Sequence, residues 1–245
     1  MAVKDINIRF KNLLFLLRES QYKIIGRKLL HRFYSQTRSY CLRRDLRVPF
    51  EPQQAQIPLK IRPLSEYDIP AIFGDADTAI APDFPVEEKQ ELALRLEHVH
   101  ANIPTCYVAV TADDKPAYMQ WLMGYQENEQ IQAYFNGTFP VLADDEALLE
   151  NALTLHDYRG KGIMPWAMAR IAEHGAELGA RWVITFVEEH NIASLKGCKR
   201  AGFLPYMVRS ERWILFHRML TFSKLPAQTP YSFDIAGQNL KTHPA

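Results

Sequence analysis

Cysteine is scarce and no long apolar run occurs anywhere in the 245 residues. Each shortage removes a class of protein. Cys41, Cys106 and Cys198 form no CxxC pair and share no Cys/His spacing, so neither a disulfide framework nor a zinc site is indicated. A reducing, cytoplasmic setting suits so sparse a set. No stretch approaches the roughly 18 apolar residues that span a bilayer. The early run at 13–17 is shorter than a secretory h-region of about 7–15 residues, and no small-residue cleavage site follows it. That argues against export by this segment. Walker A spacing is absent, as is a GxGxxG fingerprint with its acid. No Ser/His/Asp or Cys/His arrangement stands out, and there is no internal repeat.

What remains is ordinary globular material, 47% hydrophobic and 23% charged. It suffices for one good-sized domain with extensions or for two small ones. The net charge of +1 hides an asymmetry. Residues 1–50 hold twelve Lys/Arg against three acids, so the remainder is acidic. The arm at 6–34 has apolar residues at largely helical spacing with Lys/Arg between them. Residues 1–50 are therefore expected to be a basic amphipathic helical extension. A proline-rich linker or strap follows, with 51–56 as the boundary.

From there the pattern alternates strand and helix. Short strands are expected at 58–63, 105–111 and 117–125, the last two as a hairpin. Ser65 with Asp68 suits a helix cap, and 86–100 is helical in composition. Residues 129–139 are expected to add an irregular strand. A buried strand at 148–155, a helix at 163–178 closed by Gly179, a strand at 181–187, a helix at 192–201 and a strand pair at 205–219 complete it. Such an order predicts a mixed-sheet α/β domain over 57–220 and a loose tail at 221–245.

The informative stretch is Leu153-Thr-Leu155-His-Asp-Tyr-Arg159-Gly160-Lys161-Gly162-Ile163-Met164, set between a strand and a helix. Two close glycines let backbone approach a bound group and take conformations other residues resist. The free N–H groups and dipole of the following helix favour phosphate oxygens, with Arg159 and Lys161 adding charge. Read alone, the turn is also compatible with a ligand-free strand-to-helix connection.

Arg159-Gly-Lys-Gly162 resembles the cofactor motif of the GNAT acetyltransferase superfamily. Asn191-Ile-Ala-Ser194, the Ala201-Gly-Phe203 ending and the opening at 59–65 follow the family's order. The resemblance implies a mixed, splayed sheet flanked by helices, opening between its fourth and fifth strands. It implies acetyl-CoA in that opening and no metal. The pantetheine arm would bond backbone near Leu153 and Leu155, and the pyrophosphate would lie on the amides of Arg159 to Met164. Asn191 and Ser194 would lie near the pantetheine or simply cap a helix. Two positions depart from the family pattern. Met164 stands where a small residue is usual, and Cys198 stands where a Tyr often protonates the leaving thiolate. Cys198 is read either as a packing residue, the preferred reading, or as the acid.

An amine acceptor needs a general base, because only the free amine attacks a thioester. Glu150 is the candidate, against a solvated strand-end carboxylate; Glu127, Glu129, Glu188 and Glu189 are alternatives, and His156 is read as a turn residue. Asp75, Asp77, Asp83, Glu87 and Glu88 would attract a cationic acceptor or form a solvated face. Phe73, Phe84, Tyr118, Trp121 and Tyr125 would wall a pocket or fill the core. The expected activity is transfer of acetyl from acetyl-CoA to a primary amine by direct attack in a ternary complex. Its rivals are an inactive CoA-binding module and a membrane-associated interaction protein. For the arm, packing on the body or on a second subunit (a homodimer) comes first and an anionic membrane surface at the inner face second. Nucleic acid comes last.

Overall fold

The computed structural model describes residues 22–74, 86–101, 103 and 105–225. Asp75, Asp77, Asp83 and Phe84 of the expected acceptor loop fall outside these, as do the start of the basic arm and most of the tail. The same holds for the side chains of Glu87 and Glu88. In chain order the elements are α1 (Tyr22–Phe33), β1 (Tyr34–Asp45), β2 (Lys60–Pro63), α2 (Asp68–Phe73), α3 (Val86–His100), β3 (Cys106–Val110) and β4 (Pro116–Gly124). Then come α4 (Asn128–Tyr134), β5 (Glu146–Thr154), α5 (Ile163–Glu173), β6 (Trp182–Glu188), α6 (Ile192–Arg200), β7 (Leu204–Ile214) and β8 (His217–Lys224). The strands form one mixed sheet in the order β2-β3-β4-β5-β6-β1-β7-β8. By its contacts the chain divides into two compact units. One is Met1–Ser39 with Val208–Lys224; the other is Tyr40–Met207 with Leu225–Ala245.

In the larger unit β2 to β5 pair antiparallel, and β5 to β6 parallel across the α5 connection. Every residue of β4 is buried. Its sequence, Pro-Ala-Tyr-Met-Gln-Trp-Leu-Met-Gly, lacks the polar alternation of a half-exposed strand because both faces are covered. Met119, Trp121 and Met123 join a core with Ile72 and Phe73 of α2 and Leu92 of α3. Alternation turns Tyr118, Gln120 and Leu122 to the opposite face, and α5 packs on β4 and β5 with its buried Trp166, Met168 and Ile171. Ser65 does not cap α2, whose N-cap Tyr67 makes no side-chain bond, but it does pair with Asp68. Asp68 accepts from the Ser65 N–H and hydroxyl and takes a two-pronged bond from Arg62 at 2.6 and 2.8 Å, tying β2 to α2.

Two expectations fail for physical reasons. Residues 129–139 do not form a strand; 128–134 are helix α4, docked by the buried Ile131. The side chain of Asn128 bonds both the N–H and the C=O of Leu142, and that long-range bond settles the conformation. The helical reading of the basic extension holds for α1 but stops at Phe33, since Tyr34–Asp45 is strand β1. Several of its cations are structural rather than free. Arg44, 5% exposed, donates to the Ala169 carbonyl at 2.8 Å and to Glu173 at 3.3 Å. Arg43 lies over the rings of Trp182 and Tyr206, and Asp45 pairs with Arg181.

Candidate functional site

The site begins where two strands part. The β5–β6 ladder spans Glu146↔Trp182 to Leu148↔Ile184 and goes no further, although β5 runs on to Thr154 and β6 to Glu188. This is the splay that the sequence implied. Just beyond the last pair, the Glu150 carboxylate reaches across the fork and accepts the Phe186 N–H at 3.0 Å. On its other side β5 carries a bulge. The register with β4 steps from Trp121↔Glu150 to Met119↔Leu153, so that Asn151 and Ala152 oppose Gln120 alone. Asn151 sits at φ +58°, a left-handed conformation that asparagine tolerates better than most residues.

Helix α3 grips this bulge. Arg95 donates to the Ala152 carbonyl at 3.1 Å and, at 3.5 Å, more weakly to that of Asn151. The Asn151 amide lies 2.7 Å from His98 Nδ1. His98 is buried, with the rings of Trp121, Tyr134 and Phe135 edge-on around it. Burial, reinforced by the neighbouring Arg95 charge, lowers its pKa from 6.5 to about 4. The imidazole is therefore neutral, accepts from Asn151 at Nδ1 and carries its proton on Nε2. An unfolded chain protonates His98 near pH 6.5 and the folded one only near 4. Stability should accordingly fall by up to about 3 kcal/mol as pH drops through that window, with no loss from this group above it. Denaturant titrations of wild type and His98→Gln, taken as a difference against pH, test this; parallel curves would refute it.

Sequence reading missed Arg95, His98 and Asn151. The available signal was weak: an imidazole within the apolar stripe of Leu92, Leu96 and Val99, and an asparagine interrupting a buried strand.

The Arg159–Gly162 turn has the conformation its glycines permit. A short 3-10 turn, His156–Tyr158, leads into it; Gly160 lies at φ +78° and Gly162 at φ +71°, and α5 begins at Ile163. A Cβ on Gly160 would meet nothing within 4 Å, so this glycine faces open space. One on Gly162 would come within 3.9 Å of Gln54 and Ala55, because the expected linker is a strap laid over the turn. Gln56 N–H donates to the Lys161 carbonyl at 2.9 Å, and Glu51 pairs with Arg170 at 2.6 Å. Arg159 bonds the Thr154 carbonyl and Lys161 the Asp157 carbonyl, which fixes both cations at the turn.

The backbone of Leu155 is not free as expected. Its N–H donates to Ala117 and its C=O accepts from Tyr158. Leu153 lies opposite Met119 in the same register, so its groups also face β4. The alternation turns the polar backbone of Thr154, not of its leucine neighbours, toward the fork.

Met164 finds room through a compensating glycine. A Cβ on Gly197 of α6 would lie 2.5 Å from Met164 Sδ, so the bulky side chain rests where α6 has none. Gly197→Ala should cost about 1–2 kcal/mol by overpacking, and Met164→Ala should restore most of it; equal stability of Gly197→Ala and wild type would contradict this. Asn191 caps α6 by accepting the Ser194 N–H at 3.1 Å. Cys198 is 1% exposed, with its Sγ 3.8 Å from Met168 Sδ, and burial pushes its thiol well above the ordinary value. That environment is one of packing.

Among the alternative carboxylates, Glu127 accepts the Gly124 N–H at 2.6 Å and Glu188 pairs with His190. His156 is exposed beside Asp157. A cavity of about 490 Å³ lies between α2, the β3–β4 turn and the end of β5, lined by Phe73, Leu92, Leu153, Leu155 and Arg159 among others. Tyr118 and Trp121 are core residues, and the Trp121 indole N–H is buried without a hydrogen-bond partner among the described residues.

Comparison with known proteins agrees with this architecture. Residues 59–204 match the family model described as "Acetyltransferase (GNAT) domain". No curated protein is significantly similar in sequence. Among solved structures the chain is similar to a GNAT-family acetyltransferase from Colwellia psychrerythraea, with 14% identity and a TM-score of 0.46 over 80% of this chain and 59% of that one. It is similar to a GCN5-related N-acetyltransferase from Sphaerobacter thermophilus, with 14% identity and a TM-score of 0.44 over 82% and 56%. A third is the GCN5-related glucosamine N-acetyltransferase region of a fungal multi-domain GH3 β-N-acetylglucosaminidase, at 14% identity and TM-score 0.50 over 80% and 22%. The chain thus spans less than two thirds of each of these three structures. With well over half its length matching the family model, it belongs to the GNAT acetyltransferase family.

Proposed function

We propose that the chain moves an acetyl group from acetyl-CoA to a primary amine by direct attack in a ternary complex. The observation that carries this reading is the Glu150 carboxylate lying across the β5–β6 fork, next to the Asn151–Ala152 bulge. The residues present fit such a co-substrate. Gly160 opens onto space beside Arg159 and Lys161, as a pyrophosphate needs, and beyond Leu148↔Ile184 the two strands no longer ladder with each other, which leaves a place for an amide-bearing arm. Acetyl-CoA supplies an activated acyl group as its thioester.

The chain's own residues do the rest. In this reading a backbone N–H of the bulge, whose Ala152 carbonyl is held by Arg95 and whose Asn151 side chain is held by His98, stabilises negative charge on the acyl oxygen. Glu150 takes the proton of the attacking amine, directly or through water. The amine enters from the cavity bounded by α2, whose apolar wall of Phe73, Leu92, Leu153 and Leu155 would receive its carbon skeleton. Colorimetric detection of free CoA thiol across a panel of sugar amines, amino acids, polyamines and peptides tests the reading. Stimulation by no amine, with acetyl-CoA bound, would replace it with the second one: a CoA-binding module without turnover. The burial of Cys198 favours that second reading, since α6 then supplies no exposed acid for the departing thiolate.

A further inference from the structure

The smaller unit carries a surface that the acetyl-transfer reading does not use. Strands β7 and β8 are joined by two residues only, Leu215 and Phe216, and both lie at positive φ, +47° and +67°. That is the arrangement of a type I′ hairpin turn, where Asn-Gly is the relaxed choice and bulky side chains are strained. Here two large apolar residues occupy it instead, 59% and 55% exposed. The tip is braced by α1: Leu215 N–H donates to the Phe33 carbonyl at 2.8 Å and Phe216 N–H to that of Arg32 at 2.9 Å. The Phe33 and Phe216 rings meet edge-on at 6.4 Å. One turn back along the helix, on the face of Phe33, stand Leu29 and Leu30, 52% and 70% exposed. Strain is thus accepted at a turn tip in order to display apolar side chains beside an apolar helix face.

The sequence segments that carry this patch are rich in cations. Residues 22–39 and 208–224 hold nine Lys/Arg and a single acid, Glu211. Glu211 is itself bonded by Arg218 at 3.0 Å and by the Trp213 indole N–H at 2.8 Å. Arg32 and Arg212 are exposed. We infer that this surface docks on an anionic lipid bilayer, with Leu215, Phe216, Phe33, Leu29 and Leu30 entering the acyl boundary and the cations meeting the headgroups. A second copy using the same patch would bring two strongly basic surfaces together. A nucleic acid would use the cations but leave the two exposed leucines of α1 and the strained apolar tip without purpose. Among the described residues no helix is long and apolar enough to cross a membrane.

The test is vesicle flotation of the full chain with phosphatidylcholine alone and with added phosphatidylglycerol, at low and high salt. The double variant Leu215→Asn/Phe216→Gly suits the turn better than wild type, so its thermal midpoint should hold or rise. Expected are binding to the anionic vesicles only, weakening with salt, and at least about a tenfold lower partition for the variant. Equal partition by the variant overturns the assignment, as does equal binding to neutral vesicles. So does retention on DNA or RNA with none on vesicles, or a dimer that the variant abolishes with no lipid binding.

Discussion

Glu150→Gln should lower kcat by about 10²–10⁴-fold while leaving the affinity for acetyl-CoA within a few-fold. The substitution keeps the side chain's length and an oxygen able to accept the Phe186 N–H across the fork, so the strand opening survives. What it removes is the ability to take a proton. An amine at neutral pH is mostly protonated, and its attack on a thioester ends with a proton that must leave the nitrogen. If Glu150 accepts it, the activity of the variant should recover partly at high pH, where the amine is free without help from a base. A residual rate near wild type would mean that Glu150 is a structural tie between β5 and β6 and that the base lies elsewhere. Glu150→Asp separates the two roles further: a base survives with altered reach, whereas a pure tie is lost. A substitution at the bulge clamp should behave differently. Arg95→Met removes the bond to the Ala152 carbonyl and should lower kcat more than it alters cofactor affinity, with partial recovery in Arg95→Lys.

The parts that could be read in the sequence were those whose physics is local. Two glycines separated by a single residue, beside two cations and ahead of an apolar helix, specify a turn with left-handed residues wherever the chain goes, and Gly160 and Gly162 adopt it. Likewise Asn191 caps α6 through a residue three positions away. The bulge was hidden because nothing near Asn151 declares it. Its geometry depends on Arg95 and His98, more than fifty residues earlier, and on a one-residue step in pairing with β4. Strand β1 was hidden for a related reason. Its Arg43, Arg44 and Asp45 look like part of a solvated basic arm until Trp182, Tyr206, Glu173 and Arg181 arrive from the far half of the chain to stack on them or pair with them. Met164, a departure from the family pattern, is explained only once Gly197 is seen beneath it.

Gly160→Asp should weaken acetyl-CoA binding by about two orders of magnitude or more, and Gly160→Asn by far less. Both side chains tolerate the left-handed backbone at φ +78°, and both would project into space that holds no protein atom within 4 Å, so neither should unfold the turn. The pair therefore isolates charge. A carboxylate about 4 Å from a phosphate costs about 4 kcal/mol at an effective dielectric of 20, and salt reduces this at an exposed turn to about half. Even the reduced figure exceeds a tenfold change, and two phosphates share the site. Gly162 is the poorer place for this experiment. A side chain there would approach Gln54 and Ala55 of the strap, and a loss of binding would mix charge with displacement of that segment. Calorimetric titration of wild type and both variants with acetyl-CoA gives the comparison. If Asp and Asn weaken binding alike, the effect is steric and the pyrophosphate does not sit over Gly160. If neither matters, the Arg159–Gly162 turn is a strand-to-helix connection and no more.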